Sequence, residues 1–200
     1  MFISTTAPVS AQQLDQILAV VSGQVVLRSD VRAFLELGLI QEIDSPNPIE
    51  ADQYYVTKLI ERWLALDEVN RYRIPMPVSE AVEEEIGAIR DRLGGESGLS
   101  KLLLSVGLGL PDLRQILQDN MRIDRYVSER FGDANQLNES ELKSYFSDNR
   151  ELFTTPDGTV EFDEVSNVVR TRLWSERREV LVKDWLAGLT RRGEVVRFEP

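Results

Sequence analysis

Two short runs of β-branched and apolar residues, Ile17–Val21 and Gln24–Leu27, open the patterned part of the chain, with Ser22 and Gly23 between them. A small polar residue followed by glycine suits a tight two-residue turn, so this stretch predicts a β-hairpin. Ser29, followed by Asp30, Val31 and Phe34, reads as an N-cap with an acidic first turn, and the spacing predicts a helix over 30–43. A lone hairpin is marginal in water and needs a partner surface.

Helical periodicity then dominates. The Ser45-Pro46-Asn47-Pro48 stretch interrupts the pattern, because its prolines block helix continuation. Tyr55, Val56, Leu59, Ile60, Trp63, Leu64 and Leu66 recur at helical spacing and predict a helix over 51–72. Ile74-Pro75-Met76-Pro77-Val78 is a stiff extended break. Ser79 is placed to cap a third helix with the stripe Val82, Ile86, Ile89 and Leu93, stopped by Gly94-Gly95. A short apolar helix over 99–106 ends at Gly107, and Pro111 suits the first turn of a helix running to about residue 131. Asn138 and Glu141 are spaced as a capping box for a helix over 138–149, and TTPDGT at 154–159 reads as a turn. A long helix over 162–189 and an alternating strand at 194–198 close the pattern. Many helices with strand signals only at the two ends predict a mainly α fold, with a small antiparallel sheet joining the N-terminal hairpin to the C-terminal strand. The last helix then packs back on the early ones, making residues 14–200 a single module.

Composition narrows the chemistry. Of 200 residues, 42% are hydrophobic, enough for a core in a globular protein. A net charge of −11 argues against a nucleic-acid partner and against binding to anionic membranes. No run is long and apolar enough for integral membrane association. The chain has no Cys and no His, which excludes thiol nucleophiles, imidazole acid–base catalysis and Cys/His zinc sites. Glu83-Glu84-Glu85 reads as a solvated helix start rather than a carboxylate pair, since adjacent helical side chains diverge. Asp133 and Asn135 only faintly echo a calcium loop, lacking its glycine and closing glutamate. The glycines have no phosphate-loop spacing. No catalytic residue, metal or cofactor is expected.

Val9-Ser10-Ala11 carries the small residues of a signal-peptidase site, but the basic and apolar regions of a full signal peptide are missing. Residues 1–13 are read either as the end of a signal peptide truncated at Met1 or as a disordered polar tail.

The order of these segments resembles the SurA-type periplasmic chaperones and the related helical modules of trigger-factor-like chaperones. AVVSGQVVLRSDV resembles the family's opening strand, turn, strand and cap. The break RYRIPMPVSE, a charged helix ending in Gly-Gly, and Leu99, Leu103 and Gly107 before PDLRQIL follow in the family's order. NESELKSYFSDNRELF resembles the segment leading out of the N-terminal module. EFDEVSNVVRTRLWSERREVLVKDWLAGLTRRGEVVRF resembles the helix and strand that return to it. Family members usually carry one or two parvulin-type prolyl isomerase domains between those two segments; here residues 154–160 take their place. The resemblance therefore implies an exported, periplasmic, ATP-independent holdase without isomerase activity, taking part in outer-membrane protein biogenesis. A short connection at a hinge-like place also makes a swapped homodimer plausible.

A chaperone of this kind needs a solvent-reachable apolar surface for unfolded or extended polypeptides. Leu104, Leu108 and Leu110 exceed what one helical stripe requires, and Leu102, Tyr54, Trp63 and Met76 are candidates for the same peptide-binding groove. The competing reading is a helical adaptor or assembly subunit with one dedicated protein partner.

Overall fold

The computed structural model describes residues 15–132, 137–155 and 158–198. Strands β1 (Ile17–Val21) and β2 (Gln24–Leu27) form the expected antiparallel hairpin, with Val20 opposite Val25. Ser22 and Gly23 take φ of 48° and 82°, the left-handed pair that lets a two-residue turn follow the twist of its strands. Glycine adopts this freely. Ser22 does not, and its N–H is anchored on Glu194 O at 2.9 Å.

After the hairpin come α1 (Arg28–Glu36), α2 (Pro48–Arg71), α3 (Ser79–Arg92), α4 (Glu96–Ser105), α5 (Leu110–Phe131) and α6 (Glu139–Asp148). A 3-10 turn (Arg150–Phe153) and a two-residue-strand hairpin, β3 (Thr154–Thr155) and β4 (Gly158–Thr159), lead into α7 (Phe162–Arg192) and β5 (Val195–Arg197). Strand β5 pairs antiparallel with β1, Ala19 opposite Arg197 and Val21 opposite Val195. The sheet order is β2-β1-β5, so the pairing of the C-terminal strand with the hairpin is formed and β1 is central. The fold is mainly α with this small antiparallel sheet.

Helix α2 begins at Pro48, ahead of the expected 51, because Asn47 Oδ1 accepts from Ile49 N at 3.1 Å. Helix α6 follows its sequence signal. Asn138 and Glu141 make the reciprocal capping box at 2.9 and 3.0 Å. Three other ends differ. Helix α1 starts at Arg28 because the Asp30 carboxylate accepts from Leu27 N at 2.8 Å; Ser29 instead donates its hydroxyl to Asp15. Helix α3 is capped at Val78, which makes Ser79 its first helical residue. Helix α1 also stops at Glu36 instead of continuing to residue 43. Gly38 adopts φ 65° and donates to Leu35 O at 2.8 Å, and the Arg92 guanidinium donates to Leu37 O. A Cβ at Gly38 would lie 2.8 Å from Arg92 Nη2, so this exit is reserved for glycine. The chain leaves the helix there to lay Leu39, Ile40 and Ile43 against the core.

Three hydrophobic clusters result. The main one joins the sheet (Ala19, Val21, Val26), α2 (Leu59, Ile60, Leu64, Val69), the second half of α5 (Tyr126, Val127) and the second half of α7 (Trp185, Leu189). The second joins Leu37 and α3, α4 and the first half of α5. The third joins Leu137, α6, the 3-10 turn and the first half of α7. Burial of each large aliphatic side chain in these clusters contributes about 1.5–3 kcal/mol. Helices α5 and α7 therefore each serve two clusters, and a groove opens between their second halves and α2.

Candidate functional site

A groove of about 940 Å³ runs between α2, α5, α7 and the segment after α1. Its lining is built in two tiers. Phe34, Leu39, Ile40, Ile123, Val127 and Leu186 supply apolar surface. Charged and polar side chains stand among them: Tyr54, Lys58, Glu61 and Arg62 from α2, Asn120 and Asp124 from α5, and Arg178, Glu179 and Lys183 from α7.

The charges are mostly matched locally. Lys58 pairs with Glu61 at 2.8 Å and lies 5.4 Å from the centre of the Tyr54 ring. Burial pushes the Asp124 carboxyl above its ordinary pKa, and the facing Arg178 opposes that shift. Arg178 in turn lies over the Trp174 ring at 5.7 Å. Arg62 is deeply set, its side chain 11% exposed. Its guanidinium lies 5.1 Å from the Phe34 ring and 5.4 Å from the Trp63 ring. Nε donates to Asn120 Oδ1 at 2.8 Å and Nη2 to Ile116 O at 3.4 Å, while Asp119 stands 3.9 Å away. Burial lowers the Arg62 pKa, and Asp119 partly restores it. At the inner wall Trp185 stacks near Tyr126 and Phe131, at 5.6 and 5.9 Å between ring centres.

Of the residues singled out from the sequence, Tyr54 lines this groove. Trp63 is half-buried on the main cluster under Arg62. Met76 stands 53% exposed in the break between α2 and α3. Leu102, Leu108 and Leu110 are partly buried against the second cluster, and Leu104 beside them is 83% exposed. Arg62 was not singled out, although a signal exists: it lies three residues after Leu59 and four before Leu66, a charge inside an apolar stripe. Glu83, Glu84 and Glu85 are exposed, and Glu83 pairs with Arg114 at 2.8 Å. Among the described residues no group of three acidic side chains is placed to hold a metal ion. Asp133 and Asn135, and residues 1–13, lie outside the described residues.

No family model matches the chain. In sequence it is similar to the chaperone SurA of Pseudomonas fluorescens (strain Pf0-1), 27% identical over 152 residues, which are 74% of this chain and 35% of that protein. The chain thus spans about a third of the length of the curated relative it matches. In structure it is similar to a solved chain from the pair PEB4, a virulence factor, and Cj1289, a periplasmic protein, described as structurally related SurA-like chaperones of Campylobacter jejuni. The TM-score is 0.55 at 12% identity, over 92% of this chain and 99% of that one. The fold is that of a SurA-like chaperone core.

Proposed function

We propose that this chain is a periplasmic chaperone that holds unfolded or outer-membrane-bound polypeptides in extended form, without ATP and without prolyl isomerase activity. The observation that carries the reading is the groove, about 940 Å³ of mixed apolar and charged lining on a SurA-like core. Apolar side chains of a client rest on Ile123, Val127 and Leu186, while the charged tier keeps the groove wetted and the contacts exchangeable. A surface that fits many sequences fits none tightly, so binding is modest and release is fast without a nucleotide. Tyr54 lines the groove, and Trp63 supports it from beneath Arg62. Met76, Leu102, Leu104, Leu108 and Leu110 provide a second apolar contact for a client too long for the groove.

Two facts favour binding over catalysis. The chain contains no His or Cys, and the described connection between α6 and α7 consists of a 3-10 turn and a short hairpin. Residues 154–160 stand where relatives carry an isomerase domain, and residues 14–200 act as one module. Among the described residues no helix is long and apolar enough to cross a membrane. The periplasmic assignment rests on the relatives.

The test is suppression of aggregation of several unrelated unfolded proteins, with Tyr54→Glu and Leu104→Asp beside the wild type. Suppression of all clients, weakened by Tyr54→Glu in a variant that keeps its helical circular dichroism, supports the reading. Suppression of none overturns it in favour of an adaptor with one dedicated partner. Proline-peptide isomerisation above background overturns the non-catalytic part.

A further inference from the structure

The geometry points to Arg62 as the residue that selects acidic side chains in the polypeptide the groove receives, an inference that rests on the peptide-holding reading above. The guanidinium of an arginine whose side chain is only 11% exposed is ordinarily met by a carboxylate in two-pronged contact. Arg62 lacks that partner. Its nearest carboxylate, Asp119, is 3.9 Å away and is shared with Arg122 at 3.6 Å. Its two engaged nitrogens are bonded to the neutral oxygens of Asn120 and Ile116. Nη1 makes no hydrogen bond among the described residues and is not one of the sealed, unpaired polar atoms, so it opens to the groove that Arg62 lines.

The guanidinium is also held in place before any ligand arrives. The rings of Phe34 and Trp63 and the bond to Asn120 fix its orientation, so little side-chain freedom is lost on binding. The depressed pKa of Arg62 agrees with a cation whose burial is under-compensated. Lys58 is committed to Glu61 and Arg178 faces Asp124; Lys183, the remaining cation of the lining, is exposed to solvent, which leaves Arg62 as the open anion contact that is also withdrawn from water. An Asp or Glu within an extended segment supplies the missing carboxylate to Nη1 while its apolar neighbours rest on Ile123 and Leu186. An unfolded client offers many internal acidic side chains and a single carboxyl terminus, so the side chain is the source. The net charge of −11 repels acidic peptides at long range; a preference for them must therefore arise locally.

The test uses acetylated, amidated, aromatic-containing peptides that differ only in a central Glu or Gln, titrated by fluorescence anisotropy, with a third Gln peptide left as the free C-terminal acid. The wild type is expected to bind the Glu peptide about tenfold tighter than its Gln counterpart. Arg62→Gln brings the two affinities together. The wild-type Glu-to-Gln ratio needs no variant, so the proposal stays testable if Arg62→Gln fails to fold. Equal binding of Glu and Gln peptides overturns the acidic selection and leaves the groove reading standing. Binding of none of the three overturns both. Tight binding of the free-acid Gln peptide alone overturns the side-chain source, and a Glu preference that persists in folded Arg62→Gln overturns the assignment to Arg62.

Discussion

The lobe of α3, α4 and the first half of α5 is aliphatic, built on Val82, Ile86, Ile89, Leu99, Leu103, Leu113 and Leu117. The lobe of α6, the 3-10 turn and the first half of α7 is aromatic, built on Phe146 and Phe153 with Tyr145, Phe162 and Trp174 packed against them. The two lobes are attached in different ways. Leu39 packs against both the main cluster and the aliphatic lobe, and Arg92 reaches from α3 to Leu37 O. The aromatic lobe instead rides on α7, with polar ties across it. Arg177 meets Glu141 at 2.7 Å, Arg170 donates to Leu137 O at 3.4 Å, and the Tyr145 hydroxyl donates to Glu176. A lobe that shares side chains with the main core unfolds with it, whereas one carried on a single helix can open alone.

The sharpest way to break this comparison is Phe146→Ala, which removes a ring stacked on Phe153 and Phe162. It is expected to cost the aromatic lobe about 3–5 kcal/mol. Hydrogen exchange should speed up in α6 while α2 stays protected; equal loss in α2 would erase the distinction. Ile86→Ala, at a fully buried site of the aliphatic lobe, is expected to cost about 2–5 kcal/mol. That loss should shift a single urea transition monitored at Trp185, and a separate early transition would contradict it.

Acid provides a gentler contrast. The Arg177 contact, aided by the bond from Asn138 N, holds the Glu141 carboxyl below its ordinary pKa. A depressed folded pKa gives stability that is full above the unfolded value and lost as pH falls through the folded one. The aromatic lobe should therefore loosen in acid before the aliphatic lobe does, seen as exchange in α6, and Glu141→Gln should remove that dependence. Asp124 carries the opposite sign. Its raised folded pKa makes ionisation a cost at neutral pH, relieved as pH falls toward the ordinary carboxylate value. Asp124→Asn should give the smallest effect, a modest rise in the neutral-pH melting temperature that vanishes in acid; a rise that persists in acid would assign it to packing.

The contrast between lobes was partly legible in the sequence. The Asn138–Glu141 box and the alternation around Val195 are local signals, and each formed as read. The end of α1 was not legible, because it depends on Gly38 meeting Arg92, a residue from another helix. The groove was legible only at Tyr54. Its lining comes from helices far apart in sequence, and a third of it is charged, so an apolar surplus points to the corner around Leu104 instead. Apolarity says that a side chain seeks cover; it does not say which cover it finds.

The place of β1 at the centre of its sheet has a consequence in time. One of its neighbours, β2, is made within moments of it, but the other, β5, lies almost the whole chain away. A chain emerging N-terminus first, from a ribosome or through a translocation pore, exposes one edge of β1 until residues 195–197 arrive. During that interval the strand is open to pairing with whatever extended segment is near. Completion of this fold thus waits for residues 195–197, and delay before they arrive is when β1 is most exposed to mispairing.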